Sequence, residues 1–334
     1  MTKKVILNQK QCELIGKIML PLQFRKKHFE RPFLTFIADS ETKLRVYLFA
    51  TAICHQTHTL ANKRKNLEGW DCLEDVFTEL GRTNSSLLDP EFLAKLSSEE
   101  LVEKLEVTFS DDGNPKSCNL DRLGERADFI IQIAKVLNEK YEGKVEKLIN
   151  KGDGYLLKGE DGLYNLLEDF DAYSDPLRKK STVFIQMVVD ANLYKFKDLD
   201  SVLPVMDYHM QRLLLRTGCV EVVDDELKTA LQNKKQIESD DEVRRASIEA
   251  TKIISKSANK NYFDLNFILW SIGRSCCKEK VLCQDGVCNK NPCTFFETVD
   301  MTEHTHCIFE RVCMGNKDKE FRKYWQPIVE THYY

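Results

Sequence analysis

The amino-acid sequence predicts an all-α fold, and three observations predict it. Only 14 glycines and 8 prolines fall in 334 residues, which is little turn material for a many-stranded sheet. Apolar residues recur at helical spacing along most of the chain, and no run alternates with period two for long. Hydrophobic residues make up 42% of the chain and charged residues 31%, a balance that buries a core and excludes a disordered polymer.

Each expected helix has its own reason. Residues 11–20 are apolar at helical spacing and stop at Pro21. Residues 44–61 carry a face of Leu44, Leu48, Ala52 and Cys54. Ser97-Ser98-Glu99-Glu100 reads as a capping box that opens a short helix through Leu105. Residues 121–141 form the longest uninterrupted candidate, with Phe129, Ile130, Ile133, Val136 and Leu137 on one stripe. Further helices are expected over 177–193, over 207–217 with Gly218 as a stop, over 225–233, over 239–257 behind a second box from Ser239 to Glu242, and over 263–274. The loops 111–119 and 152–162 read as boundaries.

Charge and cysteine are unevenly placed. Residues 1–65 hold 13 Lys+Arg and 4 Asp+Glu, a net of +9, whereas residues 66–175 hold 12 against 26, a net of −14. The basic start, with Lys3, Lys4, Arg25, Lys26, Lys27, Lys63, Arg64 and Lys65, reads either as a phosphate-binding surface or as a solvated face balancing the acidic middle. No stretch approaches the roughly 18 to 20 apolar residues that span a bilayer, so no membrane partner is expected. The first residues meet Lys10 before any apolar run forms, unlike a secretory signal. Seven of the 12 cysteines follow residue 275, a local site rather than an evenly stapled scaffold. That usage points to a reducing, intracellular compartment, cytoplasmic or nuclear. Counted from Cys276, the residues Cys276, Cys283, Cys288 and Cys293 give C-x6-C-x4-C-x4-C, and four thiolates so close wrap either a cubane [4Fe–4S] cluster or a tetrahedral zinc ion. Cys277 is the alternative first ligand. His304, His306, Cys307 and Cys313 form a weaker pattern and stay outside the expected set.

Asp207 stands where a helix N-cap belongs, so free backbone N–H groups and the helix dipole hold its carboxylate anionic. Such an anion is most often a structural cap, and it is also the group that can steady an oxocarbenium-like sugar while an N-glycosidic bond breaks. Lys179 and Lys180 open the next helix upstream, either as solvent-facing residues or as a nucleophilic amine.

The segment Met206-Asp207-Tyr-His-Met-Gln-Arg-Leu-Leu-Leu-Arg-Thr-Gly218 resembles the Val-Asp-x-His-x-x-Arg-x-x-x-Arg-x-Gly motif of helix-hairpin-helix base-excision glycosylases. Leu48 to Thr57, ending His55-Gln56-Thr57, resembles the helix that carries a Gln-Thr or Gln-Gln near their base pocket, and Phe263 to Arg274 resembles the helix leading to their terminal cluster. Asp175-Pro-Leu before Lys180 is closest to their archaeal 8-oxoguanine branch. The resemblance, over roughly residues 44–293, implies a two-lobed helical fold with a C-terminal Cys-rich loop, divided as 1–43, 44–274 and 275–334. It further implies Asp207 as catalytic carboxylate, Lys180 (or Lys179) as Schiff-base nucleophile, and Gln56, His55 and Asp190 in the pocket. The expected partner is DNA bearing a modified base, met by a monomer. The Gly-x-Gly hairpin that grips DNA in those enzymes is replaced by Tyr173-Ser-Asp-Pro-Leu-Arg.

A second set of residues resembles the queuosine salvage nucleosidases: Phe196 to Ser201 followed by Asp207-Tyr208 and Gly218, Ser239 to Ala246, Glu125-Arg126, Glu139 to Gly143, and Tyr333-Tyr334. It implies the same helical fold acting on a free nucleoside or nucleotide, with Asp190 and Asp207 as paired carboxylates. The sequence places DNA first, queuosine-type nucleosides second, and an inactive binding module on the same fold third.

Overall fold

A computed structural model of the chain describes residues 3–286, 288 and 293–334, with Lys26, Lys27 and Asp285 described by their backbone alone. It is mostly helical, 58% helix against 5% strand, as the apolar spacing predicts. The helices of ten or more residues are α1 (Gln9–Met19), α2 (Ser40–Ala52), α3 (Trp70–Arg82), α4 (Ser98–Thr108), α5 (Leu123–Tyr141), α6 (Lys179–Asp190), α7 (Tyr208–Thr217), α8 (Asp241–Ala258) and α9 (Tyr262–Ser275). The strands are β1 (Val5–Leu7), β2 (Ala61–Asn62), β3 (Leu67–Glu68) and β4 (Val220–Val222), paired antiparallel as β1 with β4 and β2 with β3. No described helix is long and apolar enough to cross a membrane.

Contacts divide the chain into two compact units. One takes Met1–His28 with Pro204–Glu330, and the other Phe29–Leu203 with Thr331–Tyr334. The segments 1–43, 44–274 and 275–334 are divisions along the chain, and each unit draws on all three.

In the first unit, α1 packs against α8 at Gly16, where a Cβ would lie 2.5 Å from Ser257 Cβ and 2.9 Å from the Ile254 carbonyl. Apolar residues spaced along α1 (Cys12, Ile15, Met19) meet Ile254 and Ala258 of α8 in one core with Leu214 and Ile268. The expected box at Ser239 does not form. Asp240 is the N-cap, the Ser239 hydroxyl accepts from the Asp241 N–H, and the Glu242 carboxylate instead accepts the Lys4 N–H beside β1.

In the second unit, α2 is buried nearly all round, with Val46, Tyr47, Leu48, Phe49 and Ala50 sealed against neighbours that include α3 and α6. It therefore lacks the single apolar face expected of it. It also ends at Ala52 rather than near 61, because Gln56 takes a left-handed conformation (φ 45°) and Thr57–Thr59 makes a short 3-10 turn. The box at Ser97 is present in full: Ser97 Oγ accepts from Glu100 N–H and the Glu100 carboxylate accepts from Ser97 N–H.

Candidate active site

Asp207 caps α7 as its position predicts. Its Oδ1 accepts the Met210 N–H at 2.9 Å, and the residue is 7% exposed. The rest of the motif is the frame that holds this cap. Arg212 Nε and Arg216 Nη1 both reach the Cys277 carbonyl (2.8 and 3.0 Å), Arg212 Nη2 reaches that of Gly273 (2.7 Å) and Arg216 Nη1 that of Lys278 (2.7 Å). Those oxygens lie at or just past the C-terminal end of α9, where a helix leaves carbonyls unpaired and favours cations. Burial pushes Arg212 down to about 10, so it stays charged near neutrality. Gly218 ends α7 at φ 79°, a left-handed cap, and Gly273 lets α9 approach α7 until a Cβ would sit 2.6 Å from the His209 carbonyl. Histidine, both arginines and glycine thus all pack or cap around one helix whose N-cap is a carboxylate.

In the second unit the end of α2 gathers a different set of groups. Lys180 is wholly buried, and its Nζ donates to the Ala52 carbonyl (2.5 Å), lies 3.3 Å from His55 Nδ1 and sits 5.3 Å from the centre of the Phe129 ring. Arg126, also buried, bonds the Ile53 and His55 carbonyls and the Asp121 carboxylate. The two cations cap the carbonyls that α2 leaves free. Burial, opposed by Cys54 and aided by Lys179 and Arg126, pushes the Lys180 amine down to about 7. Burial and then the charges of Lys180 and Arg126 hold His55 neutral, so the 3.6 Å approach of Glu125 to its Nε2 is not an ion pair. Lys179 Nζ donates to Cys54 Sγ at 3.3 Å. Asp175 starts α6 by accepting the Leu177 and Lys179 N–H groups at 3.0 Å. Gln56 donates its backbone N–H to the Tyr334 carbonyl, and the Arg122 guanidinium holds that of Thr331.

The structure therefore joins His55 and Lys180 but not Asp190. Asp190 is the last residue of α6 and Lys180 the second, which puts them about 15 Å apart along the axis. Asp190 instead lies near the buried hydroxyl of Tyr47, whose ionisation it helps to suppress after burial and Glu74. The basic start is also partly consumed internally. Arg25 binds the Val299 and Met301 carbonyls and covers Phe296, while Lys65 and Arg64 pair with Asp75 and Asp112 of the acidic middle.

Of the four cysteines expected to hold a metal, Cys276 and Cys293 come together with His304, and Cys283 and Cys288 are not in that group of three. The three donor atoms lie within 4.8 Å of one another. His304 Nε2 is 3.6 Å from Cys276 Sγ and its Nδ1 is 3.4 Å from Cys293 Sγ. Cys276 donates to Cys293, which pushes the Cys276 thiol up and, with His304 beside it and against burial, the Cys293 thiol down.

The family model for queuosine salvage protein matches residues 49–295, about three quarters of the chain. The chain belongs to the queuosine salvage family. No curated protein matches it. The queuosine salvage match takes in His55, Lys180, Asp190, Asp207 and the cysteines from 276 to 293, and leaves His304 outside. It bears out the second of the two resemblances, and nothing in it supports the DNA glycosylase reading that the sequence placed first. Two residues named in the sequence have no part in the expected site. Arg126 is one residue in a helical stripe until α2 is seen to need a cation, and His304 sits in a polar loop without any period.

Proposed function

We propose that the chain hydrolyses the N-glycosidic bond of a free queuosine-type nucleoside or nucleotide, with Asp207 as the carboxylate that opposes charge on the sugar. The family match over residues 49–295 carries this reading. Two further observations support it: Asp207 is held by a cap and an arginine frame, and three cations of the basic start already have partners in this chain, Arg25 on backbone carbonyls and Arg64 and Lys65 in exposed ion pairs. In the reaction the C1′–N bond breaks with its electron pair on the base, which takes up a proton. The carboxylate steadies the resulting oxocarbenium-like sugar and receives a proton from the water that adds at C1′. Lys180 has two tasks available, capping α2 and supplying a near-neutral amine, and the hydrolase reading uses only the first.

The test is base release from a queuosine-type nucleoside, its 5′-monophosphate and modified oligonucleotides, each over a salt series, with Asp207→Asn as the comparison. Release from the small substrates, nearly flat with salt and abolished by Asp207→Asn, is the expected result. Release from oligonucleotides alone, falling steeply with salt as counterion release requires, restores the DNA reading. A borohydride-trapped adduct that disappears in Lys180→Ala would make the enzyme a lyase.

A further inference from the structure

The Cys276–Cys293–His304 group makes no part of the proposed hydrolysis, and one of its members lies beyond the family match. Its geometry is that of a single-ion site. With Zn–S near 2.3 Å and Zn–N near 2.0 Å, a tetrahedron places a sulfur and a nitrogen ligand about 3.5 Å apart and two sulfurs about 3.8 Å apart. An ion takes one of the two ring nitrogens of His304: Nε2 lies 3.6 Å from Cys276 Sγ and Nδ1 3.4 Å from Cys293 Sγ, so either choice gives one sulfur–nitrogen pair at the tetrahedral distance, with one donor atom from each residue within 4.8 Å of the others. A cubane would instead spread four sulfurs over four separate iron corners, and it takes thiolates where this group offers an imidazole. Cys276 and Cys293 are buried, so an ion there is screened from solvent exchange.

Further thiols stand close by. Cys307 and Cys288 are near enough to add their charges to Cys276, and the Cys288 N–H bonds the Thr305 carbonyl at 2.9 Å, which places Cys288 beside the residue that follows His304. Cys283 is outside the group of three donors, and after burial it is Cys277 whose charge raises it, as it also raises Cys307 and Cys313. The Phe295 ring meets the His304 imidazole edge to face at 4.9 Å and fixes its plane.

We propose that Cys276, Cys293 and His304 ligate a structural zinc ion, with a fourth thiolate from Cys288 or Cys307, and that Cys283 is not a ligand. Binding releases the thiol protons to solvent as the ion takes their place. The ion ties the end of α9 (Cys276) to the start of the Thr294–Thr298 helix (Cys293) and to the 304–307 loop, beside a core that holds Ile272, Phe295 and Val299.

The experiment uses the full chain. Metal and acid-labile sulfide are counted per chain in protein grown with both zinc and iron available, and cobalt is then titrated into metal-stripped protein. One zinc per chain without sulfide, and cobalt bands of a tetrahedral thiolate site, are expected. Cys276→Ala and His304→Ala should each lose the metal, Cys283→Ser should keep it, and His304→Cys should keep it with an altered cobalt spectrum. One of Cys288→Ser and Cys307→Ser should change the cobalt spectrum and the other should not. Iron with stoichiometric sulfide, no metal in the wild-type chain, or loss of metal in Cys283→Ser would each overturn the assignment. The cobalt titration reads the donor set in the unaltered protein, so poor folding of a variant does not remove the test.

Discussion

Replacing Lys180 by methionine keeps the length and apolar stem of the side chain and removes an amine that burial brings to about 7. The ordinary lysine value is 10.5. In the unfolded chain the amine keeps that ordinary value, so between about pH 7 and pH 10.5 the unfolded state holds a proton that the folded state has shed. Stability contributed by Lys180 therefore rises with pH across this window and is lowest below it. At 1.36 kcal/mol per pH unit the full span is about 5 kcal/mol, of which about 3 kcal/mol falls between pH 7 and pH 9.5. Methionine leaves the Ala52 carbonyl without its donor, but that loss is the same at every pH. Working above pH 7 also keeps His55 neutral in both proteins. Urea unfolding of wild type and Lys180→Met at several values across that range should show the wild type gaining on the variant by about 3 kcal/mol from the lower to the upper end. Parallel stability curves would mean that Lys180 keeps its proton in the fold across this range, and the account of a dry pocket at the end of α2 that strips the amine of its charge would fail.

Three other outcomes follow from the geometry. Asn is as good an N-cap as Asp, so Asp207→Asn should abolish base release while shifting the urea midpoint little, whereas Asp207→Ala should also lose about 1 kcal/mol of stability. Gly273→Ala should cost about 1 to 3 kcal/mol by urea unfolding, because the new Cβ meets backbone at His209 and α7 and α9 must part. Ser97→Ala removes half of a formed capping box and should lower stability by about 1 kcal/mol, with base release unchanged.

The features legible in the sequence are those in which one short segment carries its own reason. The Ser97 box, the Asp207 cap and the Gly218 stop all depend on residues within a turn of each other, and all three form. The α3 helix, which starts from Gly69 with no side-chain cap, lies outside the elements that the pattern picks out. The Ser239 box failed because a strand more than 200 residues away claims Glu242. The candidate site divides along the same line. Asp207 could be singled out from its own helix, but the burial of Lys180 depends on α2 ending at Ala52, and the grouping of Cys276 with His304 depends on a loop that no spacing rule joins to it.

The pairing of β1 with β4 bears on how the protein is made. Val5–Leu7 is synthesised more than 200 residues ahead of Val220–Val222, the strand it pairs with. At ribosomal rates of about 5 to 20 residues per second, the first strand and α1 wait roughly 10 to 40 s before their partners exist. Through that interval Cys12, Ile15 and Met19 have no core to enter, while residues 29–203 emerge with nearly all of their own unit in hand. The order of completion is thus the reverse of the order of synthesis for the leading segment, which makes it the part of the chain with most need of a chaperone's cover during translation.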